Sequence, residues 1–296
     1  MNSLLAQTKR TLRHLDIKAR KRLGQHFLVD REVLGRIIAA AELGPSDVVL
    51  EIGPGLGILT KELAKRAGQV IAIELDDRLA VLLKERLSSL ANVTVLNEDV
   101  LHIDLAKLFS TPTSYKVVAN LPYYITSPVL RHFLEASLKP ETMLVMVQRE
   151  VAEAIVAGPG KRSVLSISVQ FYGKPEIVSY VPPQAFYPAP AVESAILRIE
   201  VYPQPAVAVT DERGFFDMVR AGFAAARKQI ANSLAQGLKL PKDEVLTLLQ
   251  RAEIAPQRRA ETLTLEEWAK LWQVFAEVRK KNNANSTSAS QVESDP

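Results

Sequence analysis

A chain of 296 residues with 47% hydrophobic and 24% charged content can bury one large core and a second small one, so two domains are the natural count. It has no cysteine, no apolar run of membrane-spanning length and no apolar leader segment, which points away from a disulfide framework, a spanning helix and secretion and leaves the cytoplasm as the default. Four scattered histidines without ligand spacing argue against a structural or catalytic metal.

The net charge of +4 is uneven. Residues 1–22 hold Lys9, Arg10, Arg13, Lys18, Arg20, Lys21 and Arg22 against Asp16 alone, a local +6 that leaves −2 for the other 274 residues. Such a basic arm suits a polyanionic partner, with affinity that falls as salt rises. Next, the apolar run 48–52 reads as a buried strand, and Gly53, Gly55 and Gly57 form a strand-to-helix turn before helical spacing over 56–67. A second strand, 70–73, ends at Glu74, 21 residues beyond Gly53, and a third, 93–96, ends near Asp99. Carboxylates at successive strand ends line the crevice in which a doubly wound α/β sheet binds ligands.

The strand at 116–119 runs into Asn120-Leu121-Pro122-Tyr123. Helices are expected at 127–138 and 149–157, with a strand at 143–148 between them. Period-two patterning predicts β segments at 164–172, 176–181 and 192–200, one of them antiparallel. A proline-containing linker at 202–210 leads to helices at 212–236, 242–253 and 265–281, and the polar, Ser- and Asn-rich run 282–296 is expected to be disordered.

The tetrapeptide at 120–123 carries the chemistry. An exocyclic adenine nitrogen is a poor nucleophile because its lone pair is delocalised into the ring. Two acceptors on that amino group, the Asn120 side-chain oxygen and the Leu121 carbonyl before Pro122, would favour a more tetrahedral nitrogen, while the Tyr123 ring holds the base. The glycine turn lacks the fuller G-x-G-x-x-G spacing of a pyrophosphate site. S-adenosyl-L-methionine, which has no phosphate, suits it better: Gly53 and Gly55 allow close backbone approach, Glu74 can hold ribose hydroxyls, and Asp99 can meet the adenine amino group.

The stretches at 21–28 (KRLGQHFL), 51–57 (EIGPGLG), 73–76 (IELD), 120–124 (NLPYY), 148–151 (QREV), 186–195 (FYPAPAVESA) and 258–263 (RRAETL) are together similar to the ribosomal RNA adenine N6-dimethyltransferases of the bacterial small-subunit type. The resemblance runs from Lys21 to about Leu271. It implies a Rossmann-like, seven-stranded class I methyltransferase sheet with a small C-terminal all-α domain. It also implies N6,N6-dimethylation of two adjacent adenosines near the 3′ end of small-subunit rRNA, in an assembling subunit, by a monomer. Cofactor contacts are implied at His26, Leu28, Gly53, Glu74, Asp99 and Asn120, with Tyr123 and Phe186 on the two faces of the flipped adenine. His26 stands where the family pattern has Asn, and the double-arginine motif of the first C-terminal helix survives as Ala226-Arg227-Lys228.

The expected organisation is a basic arm over 1–22, a methyltransferase domain over 23–205, a helical RNA- or subunit-binding domain over 206–281 and a tail over 282–296. RNA contacts are expected at Lys18, Arg20, Lys21, Arg22, Arg227 and Lys228. The alternatives are the large-subunit rRNA methyltransferase of macrolide resistance, which uses the same chemistry on another adenosine, and a mainly non-catalytic assembly factor.

Overall fold

Strands buried on both faces need near-continuous apolar sequence, and Val48–Ile52 (β2), Gln69–Ile73 (β3), Lys116–Asn120 (β5) and Thr142–Gln148 (β6) supply it, while Val93–Leu96 (β4) is the less buried edge strand. In the computed structural model, which describes residues 3–14, 25–109 and 114–292, these strands pair in parallel. With Gly173–Val181 (β7) and Ser194–Val201 (β9) they make a seven-stranded sheet in the order β4-β3-β2-β5-β6-β9-β7, β9 running antiparallel to both neighbours. Phe27–Leu28 (β1) and Phe186–Tyr187 (β8) form a separate antiparallel ribbon. This is the doubly wound sheet expected from the sequence. Strand order reverses between β2 and β5, so Gly53 and Asn120 emerge side by side at the crevice where such sheets bind ligands.

The connections are helical. Leu4–His14 (α1) precedes the ribbon, Arg31–Ala41 (α2) and Ile58–Ala64 (α3) flank β2, and Asp77–Arg86 (α4), Leu105–Leu108 (α5), Thr126–Leu134 (α6) and Arg149–Val156 (α7) follow β3 to β6 in turn. Asp30 caps α2 by accepting from the backbone N–H groups of Glu32 and Val33. Val33, Ile37, Leu59 and Leu63 pack on Val49, Val70, Val118 and Leu144, so α2 and α3 cover one face of the sheet.

The basic arm is a docked helix as far as the structure describes it. Leu4, Thr8 and Leu12 of α1, one turn apart, are buried, and Leu12 packs with Phe27, Leu56, Leu79 and Leu82. Arg10 and Arg13 remain exposed, while Lys9 lies over the Tyr187 ring, 5.0 Å from its centroid. Lys18, Arg20, Lys21 and Arg22 lie outside the described residues.

Two compact units divide the chain: residues up to Val156 together with Tyr172–Pro203, and Ala157–Phe171 together with residues from Gln204 onward. The sheet domain expected over 23–205 is thus interrupted by 157–171. The β segment expected at 164–172 is instead a helix, Val164–Tyr172 (α8). Its alternating V-L-S-I-S-V pattern mimics a strand, but Ser163 and Ser166 cap each other's backbone N–H groups, and Phe171 packs on Phe215 and Phe216 at 5.1 and 5.2 Å between ring centroids. Burial on all sides explains why no helical stripe shows.

The helix expected at 212–236 is two, Glu212–Phe223 (α9) and Ile230–Leu238 (α10). Their close packing forces the reversal: a Cβ on Gly237 would lie 2.5 Å from the Ala221 backbone. Lys242–Arg251 (α11) follows, and Leu265–Val292 (α12) continues into the segment expected to be disordered. Extending an existing helix avoids the nucleation cost that an isolated Ser/Asn-rich segment would meet. No helix among the described residues is long and apolar enough to cross a membrane. Gly237→Ala is expected to destabilise the α9–α10 pair by about 1 to 3 kcal/mol, the usual cost of overpacking, and to lower the thermal unfolding midpoint measured by circular dichroism.

Candidate active site

The glycine turn between β2 and α3 needs left-handed backbone that side chains with a Cβ resist: φ is 66° at Gly53, 59° at Gly55 and 75° at Gly57. Glu74, at the end of β3, holds this turn. Its Oε2 accepts from the Gly55 N–H at 3.0 Å and its Oε1 from the Asp76 N–H at 2.9 Å. Burial pushes the Glu74 carboxyl up, and the backbone donors, Asp76 first, pull it back. Asp99, partly exposed, accepts from the Leu101 N–H and lies 3.2 Å from His102 Nδ1.

At the end of β5, Asn120 donates from Nδ2 to the His26 backbone carbonyl at 3.0 Å. A carbonyl only accepts, so the amide nitrogen must point there, leaving Oδ1 available to another donor. The Leu121 carbonyl accepts no hydrogen bond from the described residues. His26 Nδ1 lies 2.7 Å from the Pro188 carbonyl and, by the same reasoning, carries a hydrogen. The His26 ring stacks on Tyr123 with centroids 5.7 Å apart, and the Tyr123 hydroxyl is 2.7 Å from Oγ of the fully buried Ser194. Burial raises the Tyr123 phenol above its ordinary range despite that bond, so it stays protonated at neutral pH.

These groups surround one cavity of about 300 Å³. Its wall includes His26, Leu28, Gly53, Gly55, Glu74, Asp99, Asn120, Leu121, Pro122 and Tyr123, so the geometry gathers nearly all the residues singled out in the sequence. Phe186 is the departure. It is 3% exposed, in register with Leu28 and packed in the core with Leu4 and Val181, and it does not line the cavity. The ribbon turns Phe186 and Leu28 toward that core and Tyr187 toward the Phe27 side. Arg227 and Lys228 are exposed on the α9–α10 turn, in the other unit.

Glu51, Glu98 and Tyr124 on the cavity wall and Ser194 beneath Tyr123 join the site without having been singled out. A charged residue inside an otherwise apolar strand was the available signal for Glu51; an isolated Ser carried none. Glu51, Glu74, Glu98 and Asp99 put four carboxylates around the cavity, and no Lys or Arg lines it among the described residues. Such a wall favours a cationic ligand and disfavours a phosphate. No group of residues suited to a metal ion occurs among those described.

The family profile described as ribosomal RNA adenine dimethylase matches residues 16–277. The chain belongs to that family. Curated relatives named ribosomal RNA small subunit methyltransferase A include one from Dehalococcoides mccartyi, 52% identical over 93% of this chain and 94% of its own, and one from Alkaliphilus oremlandii, 42% identical over 90% and 94%. Among solved structures, the 23S rRNA methyltransferase ErmE is 34% identical with a TM-score of 0.66, covering 84% of this chain and 98% of its own. A dimethyladenosine transferase from Plasmodium falciparum is 26% identical with a TM-score of 0.73, covering 85% and 98%. The sheet is therefore that of class I rRNA methyltransferases. Glu74→Ala is expected to weaken S-adenosylmethionine by about 1.5 to 3 kcal/mol, the scale of lost charged hydrogen bonds, in a protein that still folds. Calorimetric titration of the folded variant checks this, and wild-type affinity would remove Glu74 from the site.

Proposed function

We propose that this protein transfers methyl groups from S-adenosylmethionine to N6 of two adjacent adenosines near the 3′ end of small-subunit rRNA, giving N6,N6-dimethyladenosines during subunit maturation. The carrying observation is a cavity in which two unengaged acceptors, Asn120 Oδ1 and the Leu121 carbonyl, adjoin a glycine turn walled by carboxylates and free of Lys and Arg among the described residues. The first part suits an adenine amino group, the second a cationic cofactor. Relatives 42 to 52% identical and named for the small subunit support that substrate over the large-subunit alternative, and the complete acceptor pair supports catalysis over a purely binding role.

The residues present fit the cofactor. Gly53 and Gly55 would let its amino-acid end approach the backbone, Glu74 would hold the ribose hydroxyls, and Asp99 would accept from its adenine amino group, all four lining the cavity. When bound, its sulfonium supplies an activated methyl group for in-line displacement. The chain's task is then positioning. Asn120 Oδ1 and the Leu121 carbonyl accept the two amino hydrogens of the target base and draw its lone pair toward the incoming methyl group. The amino proton becomes acidic only as the new bond forms, so no strong base is required beforehand. After the first transfer one N–H remains, and one of the two acceptors can still hold it for the second.

Tyr123 supplies the stacking ring. Ser194 pins its hydroxyl and His26 flanks its face, so the ring is oriented before a base arrives. Phe186 can form the second face only if the ribbon opens, because it is buried in the core. Exposed Arg10 and Arg13 on α1 and Arg227 and Lys228 on the α9–α10 turn suit phosphate contacts, whose affinity should fall with salt.

The decisive experiment is mass mapping of methylated adenosines after incubating the protein with labelled cofactor and under-methylated small subunits. Two adjacent dimethylated adenosines near the 3′ end are expected; no modification there, with methylation found instead when large-subunit RNA is supplied in a parallel incubation, overturns the reading, and so does no methylation in either. Within it, Tyr123→Ala should lower the methylation rate constant about 10- to 100-fold, the scale of one lost base stack, while cofactor affinity changes little. Equal losses in both would place Tyr123 in the cofactor pocket.

A further inference from the structure

A second tyrosine follows the tetrapeptide at 120–123. Tyr123–Ile125 form one 3₁₀ turn, in which the Ile125 N–H donates to the Pro122 carbonyl at 3.1 Å and the Thr126 N–H to the Tyr123 carbonyl. Such a turn advances about 120° per residue, so neighbouring side chains leave it on different sides. Tyr123 turns to His26 and Ser194. The Tyr124 phenol instead lies in the field of Asp99 and Glu74: burial raises it, and repulsion from those two carboxylates, Asp99 first, raises it further. Both tyrosines line the same cavity.

The two rings differ in what holds them. Tyr123 is stacked and hydrogen-bonded, whereas Tyr124 is 53% exposed and its side chain makes no hydrogen bond or ring contact with the described residues. Of the eight large hydrophobic residues exposed among those described, Leu75 and Tyr124 are the two that line the cavity, and Leu75 directly follows Glu74. An aromatic ring left open at a cavity mouth gains most when a flat ligand face covers it. The target base is not that ligand, because its stacking ring, Tyr123, faces the other way. The cofactor's adenosine is, since its ribose and adenine fall to Glu74 and Asp99, the carboxylates on Tyr124's own side of the turn.

We propose that Tyr124 is a binding residue for the cofactor and closes its ring over the adenosine held by Glu74 and Asp99, while Tyr123 serves the target base. This deepens the S-adenosylmethionine reading above and rests on it. Closure is a rotation of the side chain on a fixed backbone, because the 3₁₀ bonds hold the turn and the next residue, Thr126, is 2% exposed. The closed ring gives the adenosine an apolar cover and takes water from its hydrogen bonds to the two carboxylates, which strengthens them. The unpartnered Tyr124 hydroxyl adds nothing to this, so a phenylalanine serves equally. S-adenosylhomocysteine carries the same adenosine, and the ring therefore holds the spent cofactor as it holds the fresh one.

The test is calorimetric titration of the full chain with S-adenosylmethionine, S-adenosylhomocysteine and methylthioadenosine, which keeps the adenosine and lacks the amino-acid end. Tyr124→Ala, folded by circular dichroism, should bind all three about 10-fold more weakly, the scale of one lost aromatic stack, and Tyr124→Phe should stay within about twofold of wild type. Nitration by tetranitromethane gives a readout that needs no variant. In peptide mass maps of wild type, S-adenosylhomocysteine should shield Tyr124 and leave Tyr180, 43% exposed on β7, as reactive as before. Wild-type affinity of Tyr124→Ala for all three overturns the proposal, and a fall in methylation alongside it assigns the ring to the RNA. A loss that spares methylthioadenosine overturns it too, as does a loss in Tyr124→Phe equal to that in Tyr124→Ala. If Tyr124→Ala does not fold, the shielding of Tyr124 decides alone. Failure of wild type to bind S-adenosylmethionine at all would instead sink the cofactor reading, and the proposal with it.

Discussion

The hydrogen bond from Asn120 Nδ2 to the His26 carbonyl fixes which end of the amide is left free toward the cavity, and the surrounding contacts are organised around it. Were the amide reversed, two carbonyl oxygens would face each other and Oδ1 would be lost as an acceptor. The bond also ties the end of β5 to the segment entering the β1–β8 ribbon. His26 then reaches Pro188 through Nδ1, past the other strand of that ribbon, and lays its ring beside Tyr123, whose hydroxyl returns to Ser194 at the start of β9. Asn120, Tyr123 and their supports thus sit on rigid elements, as the positioning role proposed for them requires.

Electrostatics complete what geometry begins. The same glycine turn serves phosphate-binding folds when backbone N–H groups and a basic residue face the ligand. Here the Gly55 N–H is engaged by Glu74, and carboxylates replace the cations around the cavity. Glu51 exacts a stability cost for this. Burial pushes its carboxyl up to about 8 in the folded state, above the ordinary 4.5, so nothing is lost below the ordinary value. Stability then falls as pH rises between the two, because the unfolded chain ionises first, and the loss is complete above the folded value.

The sheet was legible because parallel strands buried on both faces leave apolar runs that few other structures require. Order along the chain added the rest: glycines, then Glu74, then Asp99, then Asn120, each at a strand end. What was illegible lay where local pattern and packing disagree. Residues 164–172 alternate like a strand yet form α8, since a helix buried on all sides shows no stripe. Ala224-Ala225-Ala226 has strong helix propensity, yet the chain turns there so that α10 packs closely on α9. In α1 the charge count concealed Leu4, Thr8 and Leu12, whose one-turn spacing makes a docking face. Phe186, placed on the target base by family resemblance, belongs here to the core, because resemblance carries residue identity without accessibility.

The docking of α1 joins two properties that looked separate. Gly55 packs closely on Phe27: a Cβ there would lie 3.2 Å from the ring, which would have to give by a few tenths of an ångström. That ring is backed by Leu12, together with Leu56, Leu79 and Leu82. The wall of the glycine turn therefore rests on a helix whose outer side presents Arg10 and Arg13. A close-packed interior transmits such contacts because it has few voids in which to absorb a displacement. The segment with the strongest basic charge is thus also part of the support for the most carboxylate-rich cavity, and a change that frees α1 from its docking face acts on both.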